Sequence, residues 1–292
     1  MRKGMITIDS DKCILCGSCV DVCPDYVLHS NSGSSPIDIR HSDYCCACGH
    51  CVAICPTHAI EHKELPPHRF EELIYTEILP DHMRGLLLSR RSIRAYKEES
   101  ISRERLEQLI EVGIHAGTAS NGQSEGFIII ENRDMLAELE HMVIKVLWNR
   151  GLKYLGSSLG FALARLRYGE DISQQLRVYH NIIKIRKERE QLEGMIFRNA
   201  PAVILVHGVR ANNQTHANCA IAVRNMEIMA TSMGLGTCWA GFLTAAAHMS
   251  KTIGTYLGVP ADRNVFGALM VGHPKHPYKK SIPRKSRDVR WI

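Results

Sequence analysis

Nine of the 11 cysteines lie before residue 56, and eight of them spell one pattern twice. Cys13, Cys16, Cys19 and Cys23 follow C-x2-C-x2-C-x3-C, with Pro24 next; Cys45, Cys48, Cys51 and Cys55 repeat it, with Pro56 next. The two runs are offset by 32 residues. So small a segment has little apolar material for a core, so whatever the thiols bind must supply much of its stability.

The spacing selects the chemistry. Three thiolates close in sequence can wrap one corner of an iron–sulfur cubane if the backbone between them turns tightly. Gly17 and Gly49 sit in those turns, where a left-handed backbone is tolerated. This is the bacterial-ferredoxin spacing for two [4Fe–4S] clusters, in which the fourth cysteine of each run ligates the other cluster. The expected ligands are therefore Cys13, Cys16, Cys19 and Cys55 for the first cluster, and Cys45, Cys48, Cys51 and Cys23 for the second. A disulfide framework needs an oxidising compartment. The opening MRKGMITIDSDKC is basic but has no apolar stretch of a secretory signal, so a cytoplasmic location is expected. Two zinc sites would match the count, but zinc ligands usually come as separated C-x2-C pairs. Cys46 interrupts the pattern and is expected not to ligate; Cys219 and Cys238 read as small buried apolar residues. Extended segments at 5–9, 27–30, 37–40 and 59–62 are expected to form two small hairpins round the clusters.

Charge is uneven: 36 basic against 30 acidic residues overall, but net −3 over residues 1–65 and +9 beyond. Residues 273–292 carry seven basic side chains and one acidic, a solvated end or an anion site. No even cationic surface for nucleic acid results, and no apolar run reaches the roughly 18 residues a membrane span needs.

Glu64-Leu65-Pro66-Pro67 reads as a stiff joint, followed by a helical stretch over 69–79. The chain divides into 1–65, a linker 66–83, and a domain 84–292. In the last, 103–116 is amphipathic with Ser102 placed to cap it. Strands are expected at 127–131, 202–207 and 264–271, and helices at 133–148, 171–190, 216–233 and 245–257. The long helix 216–233 serves equally as a core helix or as a dimer interface. Helices outnumber strands in what should be an α/β or α+β layered domain, the chain as a whole being α+β. A phosphate-binding P-loop, a Rossmann fingerprint, a serine-hydrolase elbow and a zinc-protease motif are all absent.

Six short motifs in order then carry a resemblance. Arg90-Arg91-Ser92-Ile93-Arg94-Ala95-Tyr96 resembles the "RRSxRxF" opening of the FMN-dependent nitroreductase family. Ala119 to Gln123 resembles its asparagine loop, and Asn199-Ala200-Pro201-Ala202-Val203 its "APxV" strand. Gly234-Leu235-Gly236-Thr237-Cys238-Trp239, Val271-Gly272-His273-Pro274 and Arg284-Lys285-Ser286-Arg287 resemble the remaining three. The match spans about residues 84–292. It implies an FMN site: Arg90, Arg91, Ser92 and Arg94, near a helix start, hold the phosphate and ribityl hydroxyls, with Lys285 and Arg287 completing the cage. Asn121 and Gln123 meet the isoalloxazine edge, and the backbone at Ala240 and Gly241 approaches flavin N5, which does the chemistry without a catalytic side chain. The family often has Pro-Trp after the glutamine; Ser124 and Glu125 stand there, which touches the substrate wall.

Together these imply an iron–sulfur flavoprotein oxidoreductase, a 2[4Fe–4S] ferredoxin module fused to an FMN-dependent nitroreductase domain. It would pass electrons from the clusters to FMN and on to a small electron-poor acceptor: a nitroaromatic, a quinone or an activated alkene. The donor would be a ferredoxin, a flavodoxin or NAD(P)H, and the family habit implies a homodimer. The alternatives are a redox relay or sensor without turnover, and an NAD(P)H-dependent nitroreductase.

Overall fold

The computed structural model describes residues 5–30, 36–73 and 76–292. Two units form: Met1–Glu77 together with Thr118–Gly122, and Ile78–Gly117 together with Gln123–Ile292.

In the first unit, the chain order is β1 (Ile6–Ile8), α1 (Ser18–Asp21), β2 (Leu28–His29), β3 (Asp38–Ile39), α2 (His50–Ile54) and β4 (Ile60–His62). The sequence repeat is also a backbone repeat. Gly17 and Gly49 precede the two helices at φ 76° and 77°. Leu15 and Ala47, 32 residues apart, are left-handed at 57° and 53°, and so are Tyr26 and His58 at 52° and 53°. A side chain in that region costs roughly 1–2 kcal/mol per residue, and here the cost falls in the turns that shape the cysteine runs. The expected pair of hairpins is corrected. β2 pairs with β3, but β1 pairs with β4, the first strand with the last. The reason is the crossing: Cys55 lies with the first run, so the chain after it ends beside the chain before Cys13. Met5, Ile6, Val27, Leu28 and Ile60 form the small core, with Cys19 and Cys51 buried among them.

The 69–79 helix does not form over its described residues; Ile74 and Tyr75 lie outside them. A single 3-10 turn covers Pro67–Arg69, and the next helix, α3 (Pro80–Ser89), starts on a proline. Proline disfavours helix in the residue before it but fits the first helical position.

The second unit continues with α4 (Arg103–Ile114), β5 (Gly126–Ile130), α5 (Arg133–Arg150), α6 (Ser158–Tyr168), α7 (Glu170–Glu188), β6 (Ala202–Val209), α8 (Thr215–Ser232), β7 (Gly236–Trp239), α9 (Gly241–Met249), α10 (Lys251–Tyr256) and β8 (Arg263–Gly272). The sheet order is β5-β6-β8-β7, every pair antiparallel. β6 alternates between two cores. Ala202, Ile204 and Val206 pack with Leu106 and Leu109 of α4 and Val223 and Met226 of α8; Val203 and Leu205 face Leu139 and Val143 of α5 and Leu243 of α9. Helices thus cover both faces, which is why an antiparallel strand reads as an unbroken apolar run. Each fully buried leucine contributes about 1.5–3 kcal/mol.

Three local expectations are corrected. The helix expected over 245–257 is two helices, broken at Ser250, whose hydroxyl accepts the N–H of Thr252. Serine competes for the backbone in this way, and it caps a new helix instead of continuing the old one. Ser102 occupies the N-cap of α4 but makes no side-chain cap bond. Gly236–Trp239, expected as a turn, is the edge strand β7. No helix among the described residues is long and apolar enough to cross a membrane.

Candidate functional site

The first unit gathers the thiols. Cys19 is buried, and burial pushes its thiol up, followed by the charges of Cys13, Cys16 and Cys55 beside it. Cys51, pushed up to about 11 by burial, has Cys48, Cys45 and Cys23 as its neighbours. The structure therefore brings together two groups of four, and each takes its fourth member from the other run. Backbone donors point at the sulfurs in matched pairs: Val27 N–H donates to Cys23 Sγ and Ala59 N–H to Cys55 Sγ, each at 3.3 Å. Among the described residues, no three His, Cys, Asp or Glu side chains close on a site for a single ion. Cys46 is a ninth thiol that belongs to neither four, although it meets Cys48 of the second. Its N–H donates to Asp25 Oδ2 at 2.8 Å, and burial, then Asp25, push its thiol up to about 12. Cys219 and Cys238 are buried and free, as small apolar residues would be.

Asn121 belongs to this unit too. Its Nδ2 donates to the carbonyls of Ala47 at 2.9 Å and Cys46 at 3.2 Å. The resemblance had assigned this amide to a flavin edge. No spacing rule links residue 121 to residue 47.

In the second unit, the arginines follow the C-terminal end of α3, not a helix start. The correction has a physical basis: cations are stabilised by the carbonyl end of a helix, and Arg91 Nη1 donates to the carbonyls of Leu88 at 2.6 Å and Arg90 at 2.8 Å. Arg90 pairs with the buried Glu227 at 3.5 Å, which Arg224 also meets at 3.3 Å. Sequence reasoning missed Glu227, an acid on a mostly apolar helix 137 residues away. Ser92 bridges to Thr237 beside β7, and Ile93 N–H donates to the Thr237 carbonyl at 2.9 Å. Arg90, Arg91, Gly236, Thr237 and His276 line a cavity of about 190 Å³. Two buried polar atoms of these residues, Arg91 Nε and Thr237 Oγ1, have no partner. Arg94 is exposed, donating to the Ser92 carbonyl at 3.4 Å. Ala240 is buried at the end of β7, and the Gly241 backbone beside it opens to free space. Lys285 and Arg287 lie on the exposed tail, where Arg287 donates to local carbonyls. The structure does not bring them to the cavity. Gln123 is exposed at φ 41°. Glu125 accepts from Asn218 Nδ2 of α8 at 2.9 Å.

The sequence model of the nitroreductase family matches residues 87–273. The chain belongs to the nitroreductase family. It is an oxidoreductase by that membership, and the nitroreductase domain accounts for the layered second unit. A 4Fe-4S dicluster domain matches residues 5–56, which contain all eight cysteines of the doubled run. Over 190 residues the chain is 23% identical to a protein of Archaeoglobus fulgidus named for NADH dehydrogenase and NAD(P)H nitroreductase, spanning 65% of this chain and 84% of that one. The nitroreductase from Bacteroides fragilis, solved with bound FMN, shares the fold at TM-score 0.54 and 21% identity, over 72% of this chain and 98% of its own. A nitroreductase from Desulfitobacterium hafniense, also FMN-bound, gives 0.51 and 22%, over 71% and 98%.

Proposed function

We propose that this chain is an iron–sulfur flavoprotein that passes electrons from two [4Fe–4S] clusters to FMN and on to a small electron-poor acceptor: a nitroaromatic, a quinone or an activated alkene. One observation carries the reading: the crossed grouping of eight thiols in the same chain as a nitroreductase domain. The donor set suits cubanes, being all thiol, in two fours, with N–H groups aimed at sulfur. The orphaned Arg91 Nε and Thr237 Oγ1 beside two guanidinium groups suit the anionic, hydroxyl-bearing end of FMN.

When bound, the clusters supply one-electron transfer, and FMN a two-electron store that can act as hydride. The protein's part is to hold and orient. Cys13, Cys16, Cys19 and Cys55 would hold one cluster; Cys45, Cys48, Cys51 and Cys23 the other. The Ala59 N–H favours thiolate over thiol at Cys55, because hydrogen bonding to a charged form stabilises it. Arg90 and Arg91 would clamp the phosphate, with Ser92 and Arg94 alongside, and Ala240 and Gly241 leave backbone open beside β7. Lys285 and Arg287 would join only by a movement of the tail. Gln123 would meet a flavin edge, whereas the Asn121 amide is engaged at the cysteine run. A homodimer in the cytoplasm is part of this proposal. Its interface would fall not on α8, whose apolar face is core, but on the exposed Leu159, Leu163 and Leu166 of α6 and Val178, Ile182 and Ile185 of α7.

Protein purified without oxygen should hold about eight iron and eight sulfide atoms per chain, together with FMN, and should turn over at least one acceptor class. Zinc in place of iron would remove the cluster reading; full cofactors with no turnover would leave a relay. The name of the Archaeoglobus relative supports a second reading, in which NAD(P)H reduces the flavin directly. Anaerobic stopped flow on the full chain separates them. A ferredoxin-type donor should bleach the clusters before the flavin, and rapid flavin bleaching by NADH or NADPH would favour the second.

A further inference from the structure

The two cysteine runs repeat in sequence, but their side-chain partners differ: the hydroxyls of Ser18 and Thr57 lie 3.5 and 3.8 Å from the sulfurs of Cys16 and Cys55 in the first group, and a buried imidazole stands at the second. His62, on β4, is 3% exposed. Its Nδ1 accepts the backbone N–H of Glu64 at 3.2 Å. A ring nitrogen that accepts carries no proton, so in the neutral imidazole the proton is on Nε2. Nε2 lies 3.6 Å from Cys45 Sγ, within range of an N–H···S bond. The Ala47 N–H also donates to that sulfur, at 3.4 Å. The run itself is pinned by Asp25 on the Cys46 N–H and by Asn121 on the carbonyls of Cys46 and Ala47. Applied to His62, the 32-residue repeat points to Ser30, which has no ring N–H. The corresponding first run is more open: Ile14, counterpart of Cys46, is 62% exposed, and Cys16 is exposed where Cys48 is half-buried.

We propose that His62 is a potential-setting residue: its Nε2–H bond to Cys45 makes the second cluster more easily reduced than it would be without that bond. This rests on the reading of two [4Fe–4S] clusters given above. Hydrogen bonds to cluster sulfurs tune reduction potential. Reduction adds one electron, and thus one negative charge, to a cluster and its sulfurs. No bond is made or broken and no proton moves. A donor aimed at sulfur is held more tightly after that charge arrives, which favours the reduced form.

The test is an anaerobic dithionite titration of the full-length holoprotein, followed by electron paramagnetic resonance. Cys48→Ser identifies the spectrum of the second cluster. In His62→Leu, with iron content unchanged, the ratio of reduced second to reduced first cluster should fall about tenfold, which is about 59 mV for a one-electron couple. His62→Gln keeps an N–H donor and should stay within about threefold of the natural ratio. The proposal is overturned if neither cluster moves, if both move together, or if Gln shifts as far as Leu. Should the leucine variant not fold, ¹⁵N-imidazole labelling of the natural protein replaces it. Hyperfine coupling from a histidine nitrogen to the reduced second cluster is expected, and its absence overturns the proposal. Natural protein that holds no iron would overturn the dicluster reading and this proposal with it, a result visible in the iron assay before any titration and so distinct from failure of the His62 effect alone.

Discussion

At the scale of single residues, the arginine cluster divides into parts with different duties. Arg90 offsets the buried Glu227, so its removal disturbs folding as well as binding. Arg91 brings a buried, unpartnered Nε to the cavity, which makes it the cleaner probe. Arg91→Ala should weaken FMN binding by about 1.5–3 kcal/mol, the range for hydrogen bonds to charged groups; flavin fluorescence titration measures it. Arg94→Ala, altering an exposed side chain, should cost less. Cys46→Ser should leave iron and sulfide unchanged, because that thiol lies outside both groups of four; an iron assay decides. His207 gives a pH dependence. Its imidazole is buried against Gly126, and burial, then Arg263, hold its pKa below the usual 6.5. As pH falls through about 6.5, the unfolded chain takes up a proton that the folded chain still refuses. The stabilisation is therefore full above that value and is lost below it. Urea midpoints should drop more between pH 7.5 and 5.5 in the natural protein than in His207→Gln.

At the scale of elements, what could be read from the sequence was what is local. The cysteine turns, the glycines before α1 and α2, and the alternation of β6 follow from neighbours within a few residues. The pairing of β1 with β4 does not, since it depends on where the fourth cysteine of each run is carried. Nor does the seat of Asn121, whose partners are 74 and 75 residues away. The arginine motif marked candidate residues but not that they follow a helix end, because a motif carries no geometry. The break between α9 and α10 was visible in principle as a serine within an otherwise helical stretch. Ser250→Ala removes that cap and should cost about 1 kcal/mol, read from chemical denaturation. A much larger loss would mean that Ser250 also supports β8.

At the scale of the whole molecule, the units differ in what holds them. The second has two apolar cores on a four-stranded sheet; the first has a handful of buried apolar residues and nine cysteines, eight of them in the doubled run. Stripping iron should therefore expose the first unit to protease while the second persists. Limited proteolysis of chain prepared with and without iron, read by mass spectrometry, should give early cuts within 5–77 only in the stripped sample. Equal resistance in both would mean that the small core suffices.

The first unit is not continuous in sequence. The chain passes between the units three times, after Glu77, Gly117 and Gly122. A graft of residues 1–77 onto another oxidoreductase would thus leave behind Asn121, which ties down the Cys46 and Ala47 carbonyls. The cysteine-bearing unit is a splice of two separate stretches, and any transplant has to move both.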